Sequence, residues 1–218
     1  METKDFDKKM VSTNDRIIRT ELRKFLEKEL KQYRSESGHP ADIFEELGVS
    51  HGKARIDFAF VNGVMHGYEI KSDKDTLSRL FDQMNEYNAV FDKITLVIGQ
   101  RHLLDAIHRI PEWWGITLAR VDVNQKVSFY LIREAKNNQD EQVPVSIARM
   151  LWRAEALKIL EERDEAKGIR SKSRGVIHER LAEVLKNDLS TLKRHVTDAL
   201  LVSRKDWRSV AQSVLNGG

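Results

Sequence analysis

The stretch that decides the fold is Arg55–Tyr87, RIDFAFVNGVMHGYEIKSDKDTLSRLFDQMNEY. Ile56, Phe58 and Phe60 alternate with Asp57, Ala59 and Val61, which is the period of a half-buried strand. Asn62-Gly63 comes next. It is the strongest short signal for a hairpin, because both central residues of a type I′ turn need positive φ. The return strand is expected to run to about Lys71, with Glu69 and Lys71 two apart and hence on one face. Asp57 can approach that pair across the hairpin. Three charged side chains converging on an apolar sheet are costly unless they are paired or bind a cation.

Upstream, residues 1–13 are expected to be disordered. Asn14 or Asp15 can cap a helix running to about Tyr33, with Ile17, Ile18, Leu22, Phe25, Leu26 and Leu30 as its apolar stripe. Asp42–Val49, DIFEELGV, reads as a strand rather than a helix, being short and stopped by Gly48. Downstream, Asp75 reads as the N-cap of a helix through about Phe91, burying Leu77, Leu80, Phe81, Met84 and Val90. Lys93–Gly99, KITLVIG, is a buried strand expected to lie parallel to a neighbour. A short helix over His102–Ile110 ends before Pro111, and Ile116–Val121 and Val127–Ile132 read as further strands. Trp113-Trp114 at that helix-to-strand junction reads as packing rather than as a stacking platform. The order helix, three strands, helix, strand, with extra strands at one side, describes an α/β domain with a mixed sheet over residues 14–136.

Residues 137–144, NNQDEQVP, are polar and unpatterned and read as a linker. Beyond them strand signals stop. Four amphipathic helices follow in residues 145–218, marked by Ile147 to Leu160, Ile177 to Leu185, Leu189 to Leu200, and Trp207 to Leu215. This is an all-helical C-terminal domain. The turn AKGIRSKSRG between the first two helices is strongly basic.

Composition narrows the classes. With 40% hydrophobic and 33% charged residues in 218, the chain has the make-up of a soluble globular protein. It has no cysteine, which excludes disulfides and thiolate metal sites and fits a reducing cytoplasm. No stretch approaches the ~18 uninterrupted apolar residues of a membrane span, and no apolar segment marks a signal peptide. Residues 145–218 hold 15 Lys and Arg against 10 Asp and Glu, while the first 144 hold 22 against 24. A basic tail behind an acidic-leaning domain suits a surface that attracts phosphate beside a site that concentrates metal ions, and equally suits ordinary solvated helix faces. The sequence has no phosphate-binding P-loop, no serine nucleophile elbow and no dinucleotide fingerprint.

Asp57 followed by Glu69-Ile70-Lys71 resembles the active-site signature of the PD-(D/E)XK nuclease superfamily. That superfamily has a restriction-endonuclease-like core of helix, three strands, helix, strand. The resemblance covers roughly residues 14–121. It implies that Asp57 and Glu69 bind a divalent cation, Mg²⁺ or Mn²⁺, and that Lys71 orients or activates the attacking water; the Ile70 carbonyl, lying between the ligands in sequence, could serve as another ligand. Such a role makes chemical sense, since phosphodiester hydrolysis needs a Lewis acid and an in-line nucleophile, and Mg²⁺ needs only one or two carboxylates. Gln83 and Tyr87 resemble the Q-x-x-x-Y element of RecB-like members, and they share a helix face. The ELG segment ahead of the Arg55-Ile56-Asp57 strand looks like a small, mostly uncharacterised bacterial subfamily. Many relatives carry one further acid; Glu46 ranks first for it, ahead of Glu45 and Glu21. No proline precedes Asp57, a departure from the family name. Arg55 can bind phosphate or pair with an acid, and Arg79 shares the face of Gln83. Asp73 and Asp75 are further ligand candidates. Leu151–Leu185 resembles a SAP-like helix-extended-helix DNA-binding unit, with Lys172 and Arg174 in its basic connector. The implied partner is nucleic acid, DNA before RNA. A second copy of the chain is a further candidate partner.

Overall fold

The structure is a computed structural model and describes residues 10–138 and 140–203, without the side chains of His51 and Ser203. The fourth expected tail helix, Trp207 to Leu215, lies outside the described residues. In chain order the elements are β1 (Met10–Val11), α1 (Asp15–Ser37), β2 (Asp42–Val49), β3 (Ala54–Val61), β4 (Met65–Lys71), α2 (Ser78–Asn88), β5 (Lys93–Gly99), α3 (Leu103–Arg109), β6 (Gly115–Asp122) and β7 (Val127–Arg133). Among the described residues four α-helices follow: α4 (Pro144–Ala148), α5 (Arg153–Glu161), α6 (Arg174–Val184) and α7 (Leu189–Asp198), so the single helix expected over Ile147 to Leu160 is instead two, α4 and α5, broken at residues 149–152. The seven strands form one mixed sheet in the order β1-β6-β5-β4-β3-β2, with β7 also paired to β6. Strands β2, β3 and β4 are antiparallel, whereas β5 lies parallel to both β4 and β6. The expected α/β class and mixed sheet are therefore present.

The two faces of the sheet are covered differently. On one, Ile18, Leu22 and Leu26 of α1 pack on Phe58, Ile70, Val97 and Ala119. Each such buried aliphatic side chain contributes roughly 1.5–3 kcal/mol. On the other face, α2 residues Leu80 and Tyr87 share one continuous core with Ile56, Leu96 and Ile98, and with Ile147, Leu160, Ile177 and Leu192 of the tail helices. Asn14 caps α1, its side chain accepting from the Ile17 amide at 3.1 Å. Among the described residues, no helix is long and apolar enough to cross a membrane.

Several local expectations are corrected. The hairpin turn is not type I′: Met65 pairs with Val61, leaving the three-residue loop Asn62-Gly63-Val64, and only Gly63 has positive φ, at 91°. A three-residue loop needs one left-handed residue rather than two. Residues 10–13 are ordered rather than disordered, since β1 pairs with β6 and buried Thr13 bonds Asp73 through both its amide and its hydroxyl, each at 2.8 Å. Helix α1 runs one turn past Tyr33 because Gly38, at φ 66°, supplies a left-handed cap. Helix α2 starts at Ser78 and ends at Asn88, not at Asp75 and Phe91. Asp75 instead closes a tight turn, its Oδ2 accepting from the Ser72 amide (2.8 Å) and hydroxyl (2.6 Å).

The stretch read as a linker is pinned down. The Asn138 side chain donates to the carbonyls of Asn88 and Phe91 at 2.7 and 3.1 Å, and the Val143 amide donates to the Ala89 carbonyl at 3.0 Å. These bonds satisfy the carbonyls at and just beyond the C-terminal end of α2, and they fix where the tail helices begin.

The regular alternation read across β3 also fails at one point. Ala54 and Ile56 belong to the core under α2, yet Phe58 belongs to the core under α1, and Ala59 and Val61 return to the α2 side. The phase resets at Asp57. Its cross-strand neighbour Glu46 has φ 50°, and in β2 the α2-side residues are correspondingly Phe44 and then Leu47. The pairing of β2 with β3 skips this one position and resumes in unchanged register. A paired irregularity of this kind re-aims side chains, here at the mouth of the cleft described next.

Candidate active site

A cleft of about 660 Å³ opens beside the Lys71 end of β4. Asp57, Glu69, Ile70 and Lys71 line it, together with Glu46, Arg55, Arg79 and Gln83. Arg19 and Asp15, from the first turns of α1, complete one wall. The sheet carries Asp57, Glu69 and Lys71 inward from two adjacent strands, while α1 and α2 supply the sides.

Pairing of β3 with β4 ends at Phe58–Tyr68. One step further, the Asp57 carboxylate takes over the ladder's work: its Oδ2 accepts from the Ile70 amide at 2.7 Å. The N–H and C=O of a strand residue point to the same side, so the Ile70 carbonyl also faces the space where β3 has parted. The other Asp57 oxygen, Oδ1, is ion-paired to Arg19. Glu69 is buried and bonds the buried Lys71 ammonium through Oε1. The Tyr87 hydroxyl lies 2.9 Å from Glu69 Oε2 and 2.7 Å from the Arg55 carbonyl, tying α2 to both strands of the hairpin.

Burial, reinforced by the nearby charge of Asp57, pushes the Glu69 carboxyl up to about 7 against the pull of Lys71 and Tyr87. Asp57 is raised by burial too, opposed by the Ile70 amide and the Arg19 guanidinium. Burial and the charge of Glu69 raise the Tyr87 hydroxyl, so it stays protonated. For Arg19 burial works against the charge, but bonds to Asp15 and Asp57 outweigh it and raise its value.

The residues singled out in the sequence are mostly brought together. Gln83 lines the cleft, and its side-chain oxygen is buried with no hydrogen-bond partner among the described residues. Arg79 is exposed at the rim and forms no ion pair among the described residues. Arg55 resolves as an acid partner: its Nε lies 2.6 Å from Glu46 Oε2. Glu46 reaches the cleft, but its carboxylate is spent on Arg55 and, at 2.9 Å, on Arg19. No three His, Cys, Asp or Glu side chains form a ready-made metal cluster among the described residues. Asp73 is not a ligand candidate, since its carboxylate accepts from Thr13 and, at 2.8 Å, from the Arg101 amide. Gly99 makes room for this knot, because a Cβ there would sit 2.4 Å from Asp73 Oδ1. Lys172, in the turn before α6, and Arg174, the first residue of α6, are exposed and lie outside the cleft. Trp114 is fully buried and donates to Asn88 at 2.9 Å, as a packing residue does.

A family model described as bacteriophage P4 protein cII matches residues 9–213. The chain belongs to this family. It is 30% identical over 96 residues to Protein cII of Enterobacteria phage P4, an alignment that covers 44% of this chain and 36% of that relative's length. No solved structure matches.

In this member of the P4 cII family, the residue that sequence reasoning missed is Arg19. The only local trace of it is Asp15, four residues earlier, a spacing that places the two on one helix face. Nothing in the sequence announces that a helix residue will reach Asp57, 38 positions away.

Proposed function

We propose that the chain is a metal-dependent nuclease of the PD-(D/E)XK type that hydrolyses phosphodiester bonds, in DNA before RNA. The observation that carries this reading is the convergence of Asp57, Glu69 and Lys71 in one cleft where β3 parts from β4. The order α1, β2–β4, α2, β5 supports a restriction-endonuclease-like core. So does the bond from Tyr87 to Glu69, four residues after Gln83.

The donor set suits Mg²⁺ or Mn²⁺: two carboxylates on neighbouring strands and a strand carbonyl turned to the same gap, all hard oxygens. Asp57, Glu69 and the Ile70 carbonyl would hold the ion. When bound, such a cation neutralises charge growing on the phosphoryl oxygens. Lys71, held in place by Glu69, orients the water that attacks phosphorus. Tyr87 fixes the rotamer of Glu69. Gln83 and Arg79 lie where they can bond the backbone of the bound strand, and Lys172 and Arg174 extend the contact on the tail. The cysteine-free sequence fits catalysis in a reducing cytoplasm.

A second reading is a non-catalytic nucleic-acid-binding protein. It is favoured by one observation: Asp57 and Glu69 each already have a cationic partner, Arg19 and Lys71. One experiment separates the two. Linear, circular and single-stranded DNA, and RNA, are incubated with the protein and Mg²⁺, Mn²⁺ or EDTA, with Asp57→Ala and Lys71→Ala in parallel. The nuclease reading expects cleavage that EDTA abolishes and that each substitution lowers by about 10³-fold or more. Cleavage surviving EDTA or either substitution sinks the mechanism, and binding without cleavage favours the second reading.

A further inference from the structure

We infer that Arg19 is a built-in cation of the cleft, which gives up Asp57 to an incoming divalent ion and then serves the substrate phosphate, so that metal and nucleic acid bind cooperatively. This rests on the nuclease reading. Asp57 Oδ2 is committed to the Ile70 amide at 2.7 Å, which leaves Oδ1 as the oxygen for a cation. Arg19 is ion-paired to that oxygen.

The guanidinium is not anchored there alone. Its Nε and one terminal nitrogen bond Asp15 at 3.1 and 3.2 Å, and its other terminal nitrogen bonds Glu46 at 2.9 Å. The group also sits over the Phe58 ring, 5.7 Å from its centroid. Releasing Asp57 therefore costs Arg19 one contact of several and leaves it on the cleft wall. The freed N–H then faces the gap between the two strands. A guanidinium is a planar fork suited to phosphate oxygens.

Electrostatics makes the two binding events depend on each other. With Asp57 engaged elsewhere, Arg19 and a divalent cation are close like charges in a half-buried cleft, and their repulsion opposes metal binding. An anionic phosphate between them removes that penalty. By linkage, phosphate then tightens metal by the same factor as metal tightens phosphate.

The test is a calorimetric Mn²⁺ titration of the full chain, with and without an uncleavable phosphorothioate oligonucleotide. The wild type is expected to bind Mn²⁺ on the order of tenfold more tightly with the oligonucleotide present. Arg19→Gln is expected to bind Mn²⁺ on the order of tenfold more tightly than the wild type without it, and to lose most of the coupling. Arg19→Lys keeps the charge but not the fork, and so retains the repulsion while recovering only part of the coupling. An uncoupled wild type overturns the inference without any variant, and so does an Arg19→Gln protein whose Mn²⁺ affinity is unchanged or weaker. Binding of Mn²⁺ by Arg19→Gln alone supports it. Absence of Mn²⁺ binding in both proteins brings down the nuclease reading and the inference together. Equal, uncoupled binding in both brings down the inference alone.

Discussion

Strand β4 carries two polar clusters on opposite faces, and they solve burial in opposite ways. On the α1 side, His66 and Tyr68 stack with ring centroids 4.4 Å apart, and His66 Nε2 lies 2.8 Å from the Thr95 hydroxyl. Burial, helped by the charge of Lys93, pushes His66 down to about 3, and burial pushes Tyr68 up. Both rings are therefore neutral across the physiological range. On the α2 side, Glu69 and Lys71 lie buried as an ion pair beside an open cleft. A buried ion pair is weak as a source of stability, because desolvation offsets most of its Coulomb gain. A fold needing only a filled sheet could use the first solution on both faces. Ionisable groups kept on one face are what the proposed chemistry of that face would use.

The two faces also give opposite dependences on pH. The Glu69 carboxyl is raised to about 7 from an ordinary 4.5. The folded state then holds a proton that the unfolded chain has lost, so this contribution to stability is full below about 4.5 and is lost as pH rises through 7. His66 is lowered to about 3 from 6.5. Its contribution is full above 6.5 and is lost as pH falls through 3. Between about pH 4.5 and 6.5 the two slopes oppose each other. Glu69→Gln has the largest expected effect: it removes the downward slope, at most about 3 kcal/mol between pH 5 and 8. Melting temperature should then climb up to about pH 6.5 and level off above it, instead of staying flat and then falling. If the proposed nuclease reading holds, cleavage should drop by about 10³-fold in the same variant. A melting curve whose pH dependence matches the wild type would show that the charge on Glu69 is not what distinguishes this face.

Much of this face was legible in the sequence, and the reasons are local. Glu69 and Lys71 share a face by period two alone, and Asn62-Gly63 fixes which strand returns. Gln83 and Tyr87 share a helix face by spacing. Features set by distant partners were not legible. The phase reset at Asp57 depends on Glu46 at φ 50° in another strand, while the alternation of residue types in the sequence runs smoothly through it. Asp75 carries a helix-capping residue type, yet its carboxylate turns back to Ser72, because turn and cap compete for the same oxygen. Arg19 reads as an ordinary charged helix residue until α1 is laid across the sheet.

His66→Gln tests the other face at a smaller scale. It removes titration while keeping a hydrogen-bonding side chain, so the opposite slope should disappear and stability should fall more steeply with rising pH between 4.5 and 6.5. The loss at pH 7 should be about 1–2 kcal/mol from imperfect packing and the altered bond to Thr95. Cleavage in the presence of Mg²⁺ should stay within about twofold. A larger fall in activity would mean that the two faces are coupled through β4, and the contrast between them would have to be given up.

The finest test compares the two tyrosines. Tyr87→Phe removes a hydroxyl, with a single proton to donate, that lies within hydrogen-bond distance of both Glu69 and the Arg55 carbonyl. The bond to Glu69 lowers the Glu69 value, so its loss should shift the acid limb of the pH–rate profile upward and destabilise the fold by about 1–2 kcal/mol. Tyr68→Phe removes only a 3.3 Å contact with His66 Nδ1. It should cost less than about 1 kcal/mol and leave the pH–rate profile where it was. The two substitutions delete the same atom from the same residue type on opposite sides of one sheet. A difference between them in the profile, over and above any difference in stability, can come only from what each hydroxyl touches: a neutral ring on one side, an acid of the cleft on the other.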